Sequence, residues 1–417
     1  MRERTVDTGP RVHTAVLGLG SEMTFMNDHH VIVVGAGAAG LVSAAELRRR
    51  GLPALVIERA DAIGASWRER YDRLRLNSSR PFSKLPGQRF ARGTGIFPAR
   101  YDVVRYLERY AQDNSLEVRV GMELERIERD GGEWVLRTSS GDLRAEQVIV
   151  ASGYAHTQYI PDWSGRDRFG GSLIHSGAYK NSDPYRGSDV LVAGAGCSGM
   201  EIAYDVLEGG ARRVRMAVRT PPNMMRRAPL APLFARLLVK LPPERADRIL
   251  WKVRLREFGD LSAYGLPIPE EGVISRLRRL GVAPSIVDKE VVEAIKARRI
   301  EIVAGVDSLD ETGVELADGS RLEPDAVIAA TGYRTGLEPV AGHLDVLNER
   351  GVPRARGGAA AAPGLRFIGY IPRPAQLGTL GDEAKRAATE IVSERSPKGS
   401  RTGGLRPPWT SPIHARS

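Results

Sequence analysis

The sequence predicts an α/β protein with two dinucleotide-binding, Rossmann-like domains, the second inserted into the first. Three observations lead there. A strand, a glycine-rich turn and a helix occur in that order twice; a hairpin followed by a buried strand also occurs twice; and the composition supports sizeable cores. The 417 residues are 42% apolar and 27% charged, the balance of a globular protein of two or three domains. No apolar run approaches the ~20 residues that span a bilayer, because Gly and Arg interrupt every candidate.

The first unit begins with the apolar run at Val31–Val34 and turns through Gly35, Ala36, Gly37, Ala38, Ala39 and Gly40. A helical apolar pattern follows and closes at Gly51. The second starts at Asp189, turns through Gly194, Ala195, Gly196, Cys197, Ser198 and Gly199, and continues as a helix to Gly209 and Gly210. One such turn is a weak signal, but between a strand and a helix it has a mechanism. Small residues let the backbone approach a pyrophosphate, and the helix start offers free N–H groups and the positive end of the dipole.

The next strand of each unit separates two ligands. Ala54–Ile57 ends in Glu58, followed by Arg59; a carboxylate there accepts hydrogen bonds from ribose hydroxyls and repels a 2′-phosphate. Val214–Val218 ends in Arg219, and a guanidinium in the acid's place suits a 2′-phosphate. A charge-assisted hydrogen bond contributes about 1.5–3 kcal/mol, so NADPH is favoured over NADH by roughly tenfold to a hundredfold. The first site is expected to hold FAD and the second NADPH. The alternative for Arg219 is a solvated surface residue.

Each unit is completed by the second repeat. Residues 134–144 read as a hairpin before a strand at Val148–Gly153, and residues 314–322 as a hairpin before Val327–Gly332. The expected organisation is a disordered lead at 1–28 (with Met23 or Met26 as alternative starts), a first FAD-binding part at 29–155, and an NADPH-binding domain at 156–324. An FAD-binding return segment at 325–395 and a disordered tail at 396–417 complete it. Within the second domain, 221–300 is a longer insertion with helical apolar stretches at Leu230–Leu241 and Ile249–Phe258 and Arg or Lys on the other face. It reads as a lid or packing subdomain, with weak contact to a membrane surface as the alternative.

The net charge is +10, but only eight of the 61 basic residues are Lys, and Arg is spread along the whole chain. That argues against a focused nucleic-acid patch. The single cysteine, Cys197, excludes an intramolecular disulfide, a CxxC redox pair and a multi-cysteine metal site; no metal is expected. Cys197 itself reads as a small apolar filler under the second turn. With no secretory signal pattern, a cytoplasmic location is the default.

Between the two turns, Phe169, Gly171, His175 and Tyr179 fit the pattern FxGxxxHxxxY. With these residues in that place, the chain resembles the flavin-containing monooxygenases, the class B flavoprotein monooxygenases, over about residues 30–395. Within that class the text is most similar to YUCCA-type indole-pyruvate monooxygenases and their bacterial relatives, through Tyr71–Leu76, Tyr264–Leu266 and Pro284–Asp288. Gly378, Thr379 and Asp382 add a weaker match, which implies Asp382 as a cofactor-binding residue. Related Baeyer–Villiger enzymes end the linking pattern in Trp, where this chain has Tyr179 and Lys180.

The resemblance implies further roles. Gly64–Trp67 is similar to a segment beside the flavin, and Asp325–Tyr333 to a DxxxFATGY-like segment. Asn77–Arg80 is similar to an Asn-Thr-Ser-Lys segment, which makes Asn77 the catalytic candidate, with a turn cap as the alternative. YUCCA-type proteins often carry His-Leu-Pro-Lys there instead. His175 is implied near the cofactor, with a packed linker histidine as the alternative; Tyr154 and Tyr333 read as interdomain packing. The implied reaction passes a hydride from NADPH to FAD and carries oxygen as a C4a-hydroperoxyflavin to a small amine, sulfide or 2-oxo acid, with molecular oxygen as co-substrate. A reductase or oxidase without oxygen transfer, and a non-catalytic NADP(H) sensor, are the competing readings.

Overall fold

The computed structural model describes residues 29–373 and 375–395; the expected lead and tail lie outside the described residues. Strand Val31–Val34 pairs in parallel with Leu55–Ile57 on one side and Gln147–Val150 on the other. Glu117–Arg119 and Leu365–Phe367 extend that sheet, and Ala360–Ala362 forms an antiparallel edge. The central strands read VIVV and QVIV and are buried along their whole length, as parallel strands covered on both faces must be. Helices Ala38–Arg48, Arg100–Asp113 and Gln376–Arg395 share the core on one face. The antiparallel strands Leu124–Asp130, Glu133–Thr138 and Leu143–Ala145, the expected first hairpin and its neighbour, cover the other.

The second sheet repeats the plan. Its order is Ile300–Ala304, Arg213–Val218, Asp189–Ala193, Ala326–Ala329, Ser172–His175, parallel throughout. Helices Cys197–Glu208 and Lys289–Lys296 pack on one face, while the hairpin strands Val314–Leu316 and Arg321–Leu322 join Val306–Leu309 on the other.

The structure corrects two expected boundaries. A return segment starting at 325 would carry Ala326–Ala329 into the first sheet, but that strand lies in the second, in register with Val190–Ala193. A buried strand ending in glycine serves either sheet equally well in sequence; only the pairing decides. The return begins after Tyr333–Arg334, which pairs antiparallel with Thr157–Gln158, so the outgoing and returning connections run side by side as a two-stranded ribbon. The insertion is also shorter than 221–300, because Lys289–Lys296 and Ile300–Ala304 belong to the second fold.

What remains of the insertion holds helices Ala231–Leu238, Pro243–Phe258 and Val273–Leu280 and a parallel pair, Met224–Arg226 with Ser285–Val287. The first of these helices is apolar nearly all round. Pro232, Ala235 and Leu238 face a cavity, whereas Leu233, Phe234 and Leu237 are exposed. Among the described residues, no helix is long and apolar enough to cross a membrane.

Candidate active site

Each glycine turn divides its work in the same way. Gly35 has φ +105° and Gly194 φ +114°, backbone that L side chains rarely adopt. A Cβ on Gly40 would lie 1.8 Å from the Gly35 carbonyl oxygen, and one on Gly199 would lie 1.9 Å from that of Gly194. These glycines exist so that helix and strand can touch. The middle glycines, Gly37 and Gly196, meet nothing within 4 Å. They cap helices that have no side-chain cap and no acid in the first turn, so each turn presents free N–H groups to open space. That cradle fits a dinucleotide pyrophosphate.

The residues after the next strands differ. Glu58 is half-buried and accepts hydrogen bonds from the Ala36 N–H at 2.7 Å and the Ala60 N–H at 3.1 Å. The turn thus holds the carboxylate beside the ligand space, with acceptor capacity remaining for hydroxyls. Arg219 is exposed, packed by its Cβ near Gly305, and its guanidinium makes no hydrogen bond or ion pair among the described residues.

A cavity of about 1190 Å³ runs from the first turn past the ribbon to the insertion, large enough for a bulky ligand. Of the predicted residues, Gly35, Gly37, Ala38, Ala39, Glu58, Arg59, Trp67, Asn77 and Cys197 line it. Ala36 and Gly40 sit immediately behind this wall. Trp67 also packs on the first core, and the Gly64 N–H is bonded to the Ala36 carbonyl, which fixes the Gly64–Trp67 turn to the glycine turn. Gly194, Ala195, Gly196, Ser198, Gly199 and Arg219 lie outside the cavity, on the second fold. Cys197 is where the two regions meet: its Sγ accepts from the Ile286 N–H at 3.2 Å and from Asn77 Nδ2 at 3.6 Å. Burial raises its thiol above the ordinary range, so it stays protonated, a small packed residue as its sequence context suggested.

Two expected site residues are corrected. His175 is 2% exposed, with Nε2 2.9 Å from the Gly332 carbonyl and Nδ1 accepting from the Gly177 N–H at 3.0 Å. Both ring nitrogens are therefore used by the fold, with the proton on Nε2, and Tyr333 packs edge-on against the ring. Burial lowers the imidazole below its ordinary value. His175 is a packed linker residue. Its motif partners act likewise: a Cβ on Gly171 would strike the Asp325 carbonyl, and buried Tyr179 donates to Asp205 at 2.7 Å. Asp382 points to solvent beside Lys385 and Arg386, away from the cavity. The helix buries Leu380, Gly381, Glu383, Ala384 and Ala387, and residue 382 falls on the opposite side of that period. Its neighbour Glu383 points inward, accepting from the Gly369 N–H at 3.0 Å. Tyr154, expected to pack, is 44% exposed and lines the cavity. Tyr333 does join segments, accepting a hydrogen bond from Arg70.

Sequence reasoning missed a buried polar cluster next to Asn77. Arg227 donates to Asn77 Oδ1 at 3.3 Å and pairs with Glu201 at 3.5 Å and Asp288 at 3.3 Å. Tyr71 donates to the other oxygen of Glu201 at 2.8 Å. Burial raises the Glu201 carboxyl, against the opposing pull of Arg227. Tyr71 and Asp288 lie in segments that carry the resemblance, but no local pattern marks Arg227 or Glu201 or shows that the four meet, because they come from segments far apart in the chain.

Two nucleotide cradles, one opening on a large shared cavity, define a two-dinucleotide flavoprotein oxidoreductase. A model of the family described as "Pyridine nucleotide-disulphide oxidoreductase" matches residues 32–237. The indole-3-pyruvate monooxygenase YUCCA8 of Oryza sativa subsp. indica is 34% identical over 382 residues, 87% of this chain and 90% of that protein. The probable indole-3-pyruvate monooxygenase YUCCA3 of Arabidopsis thaliana is 32% identical over 356 residues, 81% of each. In fold, the chain is similar to the flavin-containing monooxygenase of Stenotrophomonas maltophilia, with a TM-score of 0.67, 24% identity and coverage of 88% of this chain and 99% of that one. The chain belongs to the flavin-containing monooxygenase family. It is an oxidoreductase, a monooxygenase dependent on FAD and NADPH.

Proposed function

We propose that the first fold, with its cavity, holds FAD, that the second holds NADPH, and that the oxygen acceptor is an aromatic 2-oxo acid. The observation behind the cofactor placement is the pair of open middle glycines, followed in one fold by Glu58 and in the other by Arg219, which has no partner among the described residues. In this reading Gly37 and the helix start at Ala38 receive the FAD pyrophosphate, Glu58 the ribose hydroxyls, and Trp67 flanks the ring system. Gly196 and the Cys197–Glu208 helix start receive the NADPH pyrophosphate, and Arg219 the 2′-phosphate.

Bound FAD, reduced by NADPH, supplies the activation of oxygen. The chain's own part is positional. Asn77, on the cavity wall, offers amide N–H donors at the point where the two folds meet. Met225, Leu238, Leu250, Ile274 and Leu277 of the insertion line the same cavity and exclude water, which suppresses wasteful release of peroxide. That apolar wall suits an aromatic ring. Arg75 also lines the cavity, and its side chain makes no hydrogen bond or ion pair among the described residues; it suits a carboxylate and disfavours a protonated amine. The names of the curated relatives support the same substrate class. One oxygen atom would enter the acid that remains after loss of CO₂, and the other would leave as water. The lone Cys197 is in keeping with a cytoplasmic setting.

The test is aerobic turnover under ¹⁸O₂ with NADPH and, in parallel, indole-3-pyruvate, phenylpyruvate, a tertiary amine and a sulfide. One labelled oxygen is expected in the arylacetic acid. Turnover of the amine or sulfide alone would refute the substrate class, and peroxide as the only oxygen product with all four would favour the oxidase.

A further inference from the structure

Asn77 is exposed to the cavity on an irregular segment, so nothing in its own backbone fixes which end of its amide faces inward. Arg227 does. A guanidinium only donates, whereas an amide has one accepting and one donating end. The Arg227 bond to Oδ1 therefore leaves Nδ2 as the donating end; one of its N–H groups goes to Cys197 Sγ at 3.6 Å and the other remains for the cavity. A flipped amide would set N–H against N–H. The guanidinium is itself held: its side chain is 5% exposed, clamped between Glu201 and Asp288, and Glu201 is tied to Tyr71. The insertion thus reaches across to an amide on the first fold, next to the helix start of the second.

We propose that Arg227 is a positioning residue that sets the Asn77 amide so that its remaining N–H donor faces the reacting oxygen. This rests on the role assigned to Asn77 above. The clamp by two carboxylates explains why the cation is buried at all, since a single partner would leave it under-compensated. It also explains why lysine is a poor substitute: lysine keeps the charge but loses the planar fork that reaches three acceptors at once.

The experiment uses the flavin-loaded enzyme with NADPH and indole-3-pyruvate as the probe, and measures how oxidised NADPH divides between product and hydrogen peroxide. In R227K the peroxide-to-product ratio rises about tenfold, the effect of one lost charge-assisted hydrogen bond, while anaerobic flavin reduction by NADPH stays within about twofold. N77A shifts the ratio in the same direction, and R227K/N77A is no worse than N77A alone. The visible absorption of the oxidised flavin moves the same way in both single variants. A wild-type ratio in R227K, or effects that add in the double variant, would overturn the proposal while leaving Asn77 in place. A wild-type ratio in N77A would overturn the Asn77 role and this inference with it. Should R227K fail to fold, Asp288→Asn, which frees one side of the guanidinium, carries the test: a raised ratio supports the proposal and an unchanged one overturns it.

Discussion

The two glycine turns are nearly alike in design, yet the strands after them end in residues of opposite charge. Both place a left-handed glycine first, an open glycine in the middle and a close-packed glycine last. One then ends its next strand in Glu58, bound back to its own turn inside the cavity; the other ends in Arg219, exposed and without a partner among the described residues. In the proposed reading, the turn receives a pyrophosphate and the residue after the following strand selects which dinucleotide. Substitutions at the two classes of position should therefore separate folding from ligand choice.

The largest effect is expected at the close-packed glycines. Gly40→Ala or Gly199→Ala forces a Cβ to within 2 Å of a backbone carbonyl oxygen, which costs more than ~4 kcal/mol and should abolish soluble, folded protein. Gly37→Ala and Gly196→Ala meet no atom. Thermal unfolding of the free protein should be almost unchanged, and each variant should lose affinity only for its own dinucleotide. Equal instability at both classes would erase the proposed division of labour.

Next comes Arg219→Ala. Loss of one charge-assisted contact should raise the KM for NADPH by about tenfold to a hundredfold and leave that for NADH unaltered. If both coenzymes weaken together, Arg219 acts on something other than the 2′-phosphate. Glu58→Ala should weaken FAD retention by about tenfold through loss of one charged acceptor, read as flavin content after dialysis, with NADPH binding unaffected.

The smallest effect concerns His175, buried at the edge of the second sheet. Its folded-state affinity for protons is lowered by burial, so the unfolded chain binds the extra proton first. Stability is then complete above the ordinary histidine value of about 6.5 and falls as the pH drops below it. Denaturant midpoints measured across that range should show the fall, and His175→Gln, which does not titrate, should lose that component. A pH dependence unchanged in the variant would assign it to other groups.

Much of this was legible in the sequence because it is local. Turn, helix start and strand end are close together along the chain, so Gly35–Gly40, Glu58 and Arg219 carry their meaning in short stretches. The paired hairpins were legible for the same reason. Other features depend on distant partners. The membership of Ala326–Ala329 is decided by pairing with Val190–Ala193, which no local pattern contains. Asp382 was displaced by helical phase, since one residue along the same helix Glu383 points inward. His175 lies in a motif whose order is visible but whose burial is not. Arg227 and Glu201 left no signal, and Tyr71 was visible only as part of a family-like segment, because an isolated Arg, Glu or Tyr shows no partner until the fold brings them together.

The measurement that bears most directly on the division between the two cradles is anaerobic reduction of the bound flavin by NADPH and by NADH, in the wild type and in Arg219→Ala. NADPH should reduce the wild-type flavin at least about tenfold more efficiently than NADH, and the advantage should disappear in the variant. Equal efficiency of the two coenzymes in the wild type, or a preference for NADPH that survives the loss of Arg219, would contradict it.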